Sequence, residues 1–522
     1  MSITSINFIL FIIVLFLTYF LILPRYQWIV LLLGSVYFYW LSSKEASIYI
    51  GVTIITVYLC GLWLERLNTK QDAEIHENPG IKKAIKKKYK SKKKKGLAIT
   101  VVFNLGLLLL AKYYNFIGEN IEIVSQALGG NFLFTAKQLV VPLGISFYTF
   151  QAVGYLFDLY REKTMAEKNF LRFVLTVSFF PQIVQGPFNR YKDLRESLFQ
   201  IHFFSFDRFI SGAQRALWGI IKKIVIADRL GLFVSPVFST YSSYSGTQIF
   251  LGSVAYTIQI YADFSGYMDI MCGICEIFGI TMSENFRRPY FSKSVAEFWR
   301  RWHITLGAWF REYMFYPISM SKSANKLGKY FRKIFGAKFG KLLPSYIALV
   351  AVWFCTGLWH GANWTYVVWA LINVFFILTS MQFEDFYALC REKAKINENS
   401  TLWKMFQITR TFLLVCFMRI FSRANNIQDS IGMYKKIFSN FSLKELFSLN
   451  TYKIGIEAYD MLIILIFVFI MLLASILQRK GEVRKILSTT PIYIRWMVYI
   501  CGMFSAILFA TTSGGGFLYA VF

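Results

Sequence analysis

From Tyr346 to Ser380 the chain runs thirty-five residues without one Asp, Glu, Lys or Arg, and His360 sits inside that run. A bilayer core demands about 20 apolar residues of a spanning helix, so this stretch is long enough to cross and has no charge to stop it. Comparable apolar stretches occupy 3–23, 27–41, 46–64, 97–117, 139–157, 170–185, 209–227, 247–280, 407–421, 458–477 and 490–511. Together they predict an all-α, polytopic transmembrane helical bundle. We expect about eleven spans, with re-entrant or interfacial pieces where a stretch is short or carries Pro and Gly. Composition excludes the alternative: 56% of the 522 residues are hydrophobic and 16% charged, against about 45–50% and about 25% in soluble domains. Residues 1–522 therefore read as a single integral membrane domain, with N-terminal spans over 1–117 and a core over about 140–425. The first stretch lacks a basic leader and a small-x-small cleavage site and reads as a retained helix. Gly514–Gly516, near the end, reads as a flexible turn.

The formal charge of +28 raises the question of nucleic acid, but ten lysines fall between Lys82 and Lys95 alone. A lysine block beside spanning helices is a topology signal before it is anything else, because cytoplasmic loops collect Lys and Arg. Its second reading is attraction to anionic lipid, and no DNA- or RNA-binding motif accompanies it. The segment 67–96 is expected to be a cytoplasmic loop, which places the N-terminus outside the cytoplasm if three spans precede it. Segments 319–343 and 381–404 read as the other polar connectors. Seven scattered cysteines form no disulfide framework. Cys272 and Cys275 have neither a second pair nor a nearby His to complete a metal site, so no metal is expected.

Two of the four histidines lie in apolar settings. His360, within GLWHGANW, is an ionisable residue at membrane depth, which is costly and marks a functional candidate; the plain alternative is an imidazole satisfied by a neighbouring helix. Gly357 and Gly361 would let another backbone or a thin substrate approach, with Trp359 and Trp364 as walls. His303 lies in EFWRRWHITLGAWFREYMFYP (297–317). Helical spacing there gathers Trp299, Trp302, His303, Leu306, Trp309 and Phe310 on one side of an expected interfacial helix. The two histidines are expected to share one site. Upstream, Asp263, Ser265 and Asp269 fall within YADFSGYMDI, where carboxylates must pair, protonate or face water. They either orient an imidazole or act as structural anchors. Arg287, Arg288, Arg300, Arg301 and Arg311 suit an anionic donor or lipid phosphate, or simply mark the inside face. A serine hydrolase or ATP-driven pump would lack its parts, since neither G-x-S-x-G nor GK[ST] occurs. A transporter or flippase, or a structural subunit of an export complex, also fits buried charges among apolar helices.

The series VPLGISFYTFQ (141–151), FFPQIVQGPFNR (179–190), YADFSGYMDI (261–270), ENFRRPY (284–290), EFWRRWHITLGAWFREYMFYP (297–317), GLWHGANW (357–364) and RIFSRAN (419–425) resembles the membrane-bound O-acyltransferase family. The likeness is to the branch that holds the alginate O-acetylation membrane subunit and the D-alanyl transferase of teichoic acids. Two departures are Ala262, where a bulkier residue is expected, and the absence of a glycine-asparagine-arginine run in 319–343. The resemblance implies a multi-helix bundle with a thin centre, where a cytoplasmic thioester donor meets an extracytoplasmic hydroxyl at a buried histidine. It makes His360 the catalytic histidine and His303 the second motif histidine. Trp302, Trp359, Asn363, Arg300, Arg301, Asp263, Ser265 and Asp269 become the donor-binding or supporting residues. It further implies acetyl transfer from acetyl-CoA, with no bound cofactor, to an exported polysaccharide or a relaying partner. The runner-up is D-alanyl transfer from a phosphopantetheinyl carrier protein. Expected partners are the lipid of the plasma (inner) membrane, an extracytoplasmic esterase-like protein and the polysaccharide acceptor, with no nucleic acid.

Overall fold

The computed structural model describes residues 3–511, so the turn expected at Gly514–Gly516 lies outside the described residues. Among these the chain is mostly helical, without a β-strand and with one isolated bridge between Phe286 and Trp302. Six segments are long and apolar enough to cross a membrane: Pro24–Glu77, Pro79–Ala127, Lys322–His360, Trp364–Gln382, Thr401–Arg423 and Ala458–Leu477. Two shorter apolar helices are Ile6–Leu21 and Ile492–Leu508. The protein is thus an all-α, multi-pass membrane protein. Six crossing helices by length compare with about eleven expected from apolar stretches alone. Part of the difference is local: 170–185 breaks around Phe179 into Phe170–Ser178 and Phe180–Ile183, pieces too short to span. The helix Ala458–Leu477 leaves Leu462, Leu465, Ile466, Phe469 and Leu472 exposed, as a helix facing hydrocarbon does.

The described residues gather into two compact units: Met1–Gly212 with Ile274–Ser283, and Ala213–Gly273 with Glu284–Phe522. In the first, the polar loop expected over 67–96 is instead a helical hairpin. The helix Ser47–Glu77 turns at Pro79–Ile81 into the 46-residue helix Lys82–Ala127, which contains the whole lysine block. Lysine is a good helix former, and the block is anchored by its neighbours. Lys93 is buried and donates to Glu162 Oε1 at 2.9 Å and Gln71 Oε1 at 3.0 Å, while Lys88 pairs with Glu74. The first two motif segments also lie in this unit. Gly144 caps the helix Ile145–Tyr160 in the left-handed region, φ 69°, where a Cβ would stand 1.8 Å from the Ile183 carbonyl oxygen. Only glycine allows that approach.

The second unit carries the remaining motifs. Its segment 319–343, expected as a connector, is mostly helix: Lys322–His360 runs through it, with a kink at Gly336, φ 89°. Leu327, Tyr330, Ile334 and Phe335 are exposed there among lysines, the pattern of a basic amphipathic surface helix. The connector expected over 381–404 contains the helix Glu384–Lys393.

Candidate functional site

The uncharged run from Tyr346 to Ser380 forms two helices, not one continuous span. His360 is the last residue of Lys322–His360, and Asn363 caps Trp364–Gln382, its Oδ1 accepting from the Thr365 N–H at 2.9 Å. The glycines serve this hairpin. A Cβ on Gly357 would stand 2.8 Å from the Tyr366 carbonyl oxygen, and one on Gly361 would stand 2.4 Å from the Tyr366 ring. Of the two close neighbours left open by the sequence, another backbone or a thin substrate, the one found at Gly357 is backbone, that of the next helix of the same hairpin. Asn363 Nδ2 also donates to the Asn425 carbonyl at 3.1 Å, which pins the His360 turn to the RIFSRAN segment. Trp359 is buried, whereas Trp364 is 45% exposed and walls nothing in the interior.

His303 is not on the face of one interfacial helix. The chain breaks between Val295–Arg301 and Ile304–Phe310, and His303 stands at the break in the left-handed region, φ 49° and ψ 51°. A non-glycine residue there is strained by about 1–3 kcal/mol and needs outside support. Support comes from 285–287: Phe286 bridges Trp302, the Ile304 N–H donates to the Asn285 carbonyl at 3.0 Å, and the Arg287 N–H donates to that of Arg301 at 2.9 Å. Helical spacing could not anticipate a partner so far along the chain.

The Asn285 side chain fixes the imidazole. Its Oδ1 accepts from the Thr305 backbone N–H at 3.1 Å and hydroxyl at 3.0 Å, and lies 3.2 Å from His303 Nδ1. A backbone N–H can only donate, so the atom facing it is the oxygen, and Nδ1 must carry the proton. His303 lies outside the long apolar helices, and burial pushes its pKa down to about 3. It is a neutral ring with a fixed tautomer, a poor proton acceptor at neutral pH and a good hydrogen-bonding wall.

The two histidines flank one indole. Ring centroids of His303 and Trp359 are 5.9 Å apart, and those of Trp359 and His360 are 5.0 Å apart. Phe264 meets His303 at 4.9 Å and Trp369 meets His360 at 5.1 Å. Both histidines are nearly closed off, at 3% and 5% exposure. The two histidines expected to share a site are brought together in one aromatic cluster that keeps both imidazoles from bulk water. Trp299, on the break's first helix, donates Nε1–H to Asn373 Oδ1 at 2.9 Å and packs on Trp353 and Trp369, tying the His303 segment to the His360 hairpin.

The acidic candidates have cationic partners that were not anticipated. Asp263 accepts from Lys223 Nζ at 2.9 Å, and Lys223 also reaches Asp228 at 2.7 Å. Asp269 accepts from Lys222 Nζ at 2.6 Å and Arg215 Nε at 2.9 Å, and Lys222 also donates to Ser265 Oγ at 2.9 Å. Both lysines lie on a π-helical turn, Lys222–Ala227. Close approach makes the pairing possible: a Cβ on Gly219 would stand 2.5 Å from the Gly266 carbonyl oxygen. Small residues at a helix interface permit this. Asp263, Ser265 and Asp269 are thus anchors for two buried ammonium groups, the structural alternative of the two open in the sequence. Among the arginines, Arg301 pairs with Glu297 Oε1 at 2.6 Å and Arg300 is exposed.

Comparison with known proteins adds the family. Residues 162–334 match the family model described as MBOAT, membrane-bound O-acyltransferase family. The chain is 32% identical over 433 residues to a probable alginate O-acetylase of Pseudomonas aeruginosa, covering 83% of this chain and 73% of that protein. It is 28% identical over 370 residues to a peptidoglycan O-acetyltransferase of Helicobacter pylori, covering 65% and 64%. With a teichoic acid D-alanyltransferase of Bacillus subtilis it shares 26% identity over 286 residues, covering 53% and 68%.

Proposed function

Because the chain belongs to the membrane-bound O-acyltransferase family, we propose that it moves an acetyl group from a cytoplasmic thioester, acetyl-CoA, across the plasma (inner) membrane. The acceptor is a hydroxyl of an exported polysaccharide, or of an extracytoplasmic partner that relays the group. The observation that carries this reading is the pair of buried imidazoles on either side of Trp359. The similarity to the two O-acetylating relatives favours acetyl over D-alanyl.

The reaction needs a base for the acceptor hydroxyl and a dry place for the charge that develops. His360 takes the hydroxyl proton as the oxygen attacks the thioester carbon, and later returns it to the departing thiolate. A neutral imidazole can accept that proton, and a positioned base contributes about 10²–10⁴-fold. Neutral His303, held by Asn285, positions the donor against Trp359. The Asp263–Lys223 and Asp269–Lys222 pairs hold the helices behind it.

Partner dependence tests the relay. The purified protein with acetyl-CoA and polymer is expected to acetylate slowly, and adding the extracytoplasmic partner to raise ester formation at least tenfold. Full activity from the protein alone contradicts the relay. Absence of any donor consumption with the partner present contradicts acyl transfer itself.

A further inference from the structure

One buried cation in the second unit has no role in the scheme above. Arg419, on the helix Thr401–Arg423, is 2% exposed, and no carboxylate pairs with it among the described residues. Its guanidinium carbon lies 4.7 Å from the Trp302 ring centroid, 5.6 Å from that of Trp369 and 6.0 Å from that of Trp299. Indole rings stabilise a guanidinium through its face, but they accept none of its in-plane N–H bonds. Arg419 Nη2 has no hydrogen-bond partner among the described residues, and neither has Nε1 of Trp302. Two buried donors in contact, one of them charged, lack an acceptor. Leaving such groups unmatched is costly for a neutral donor and more so for a charged one. Natural cores match nearly all buried polar atoms.

The place of this cation gives the unmatched donors a use. Trp302 precedes His303 in the chain, and the Trp369 ring that Arg419 touches is the one in contact with His360. We propose that Arg419, with the Trp302 indole N–H beside it, receives the oxyanion that forms on the acyl carbonyl. The inference rests on the acyl-transfer reading of the site. In the step, the acceptor oxygen bonds to the acyl carbon, the carbonyl π pair moves onto its oxygen, and His360 takes the hydroxyl proton. Collapse restores the carbonyl and breaks the C–S bond, and the thiolate takes the proton back from the imidazolium. The charge on the carbonyl oxygen exists only between these events. A guanidinium clamped by indoles is preorganised for it, paying no reorganisation when the charge appears.

The test compares Arg419→Met and Arg419→Lys with the unaltered protein. It measures turnover and KM with acetyl-CoA, equilibrium binding of S-ethyl-coenzyme A, which lacks the carbonyl, and the thermal midpoint. Removing one oxyanion donor costs about 10²–10³ in kcat, so Arg419→Met is expected to lose that much. KM and S-ethyl-coenzyme A affinity should stay within about twofold, because the carbonyl charge is absent from the ground state. Arg419→Lys keeps the charge without the planar fork and is expected to fall between. Weakened S-ethyl-coenzyme A binding with unchanged kcat overturns the proposal, since Arg419 then holds a permanent anion of the donor. If Arg419→Met does not fold, Arg419→Lys decides: lowered kcat at unchanged analogue affinity supports the proposal, and full kcat overturns it. His360→Ala, run alongside, separates the two claims, because wild-type turnover there removes the acyl-transfer site whatever Arg419 does.

Discussion

Replacing His360 by alanine is expected to lower acetyl turnover by about 10²–10⁴-fold, with donor binding and thermal midpoint close to those of the unaltered protein. His360 ends its helix and packs against Trp359 and Trp369, so its removal leaves the Gly357 contacts that build the hairpin in place. The loss falls on kcat, and more donor does not recover it, because the missing interaction belongs to the transition state. His303→Ala is expected to behave differently. It deletes a neutral wall fixed by Asn285, weakening the donor step and leaving residual turnover that rises with donor concentration. Steady-state rates across donor concentrations, with donor binding in parallel, check both. Near wild-type turnover in His360→Ala removes it as the base. Loss of all turnover in both variants at unchanged donor binding removes the division of roles.

The second large effect is on stability. Lys223 stands between Asp263 and Asp228, and the Lys223 and Asp263 side chains are 2% and 1% exposed. Removing one member of a buried ion pair typically costs about 3–5 kcal/mol, because the remaining charge is left without a counter-charge, whereas removing both is often close to neutral. Lys223→Met should therefore sharply lower the thermal midpoint of the purified protein. Lys223→Met with Asp263→Asn should recover more than half of the loss, since the remaining Asp228 side chain is the less buried of the two carboxylates, at 13% exposed. An unchanged midpoint in Lys223→Met would mean that the pair stands in water.

Much of this arrangement was legible in the residues. Apolar runs with no charge announce membrane helices by the cost of a bare backbone in hydrocarbon, and the two histidines in apolar settings do meet through Trp359. The break at His303 was not legible, because Asn285 and Phe286 create it from about eighteen residues away and helical spacing registers only neighbours within a turn or two. The lysine-rich segment misled for the opposite reason. Its helix buries a sparse apolar line, Ile85, Tyr89 and Leu97, with Lys93 between them held by Glu162, a pattern that the surrounding lysines mask. Lys222 and Lys223 left a signal that went unread: two ammonium groups inside 209–227 and two carboxylates inside 261–270 each need a counter-charge. Arg419, at the end of the apolar stretch 407–421, posed the same demand, and no acidic side chain pairs with it among the described residues.

The proposed chemistry is cleavage of a thioester and formation of an oxygen ester at the His360 site. Proteoliposomes supplied with acetyl-CoA labelled separately on the acetyl group and on the coenzyme test it most directly, with partner and polymer present. The acetyl label is expected to appear as base-labile ester on the acceptor while the coenzyme label stays with free thiol in equal amount, and His360→Ala to lower both products together by about 10²–10⁴-fold. Passage of both labels together across the bilayer, with the thioester intact and no ester formed, would contradict that chemistry and identify a transporter instead.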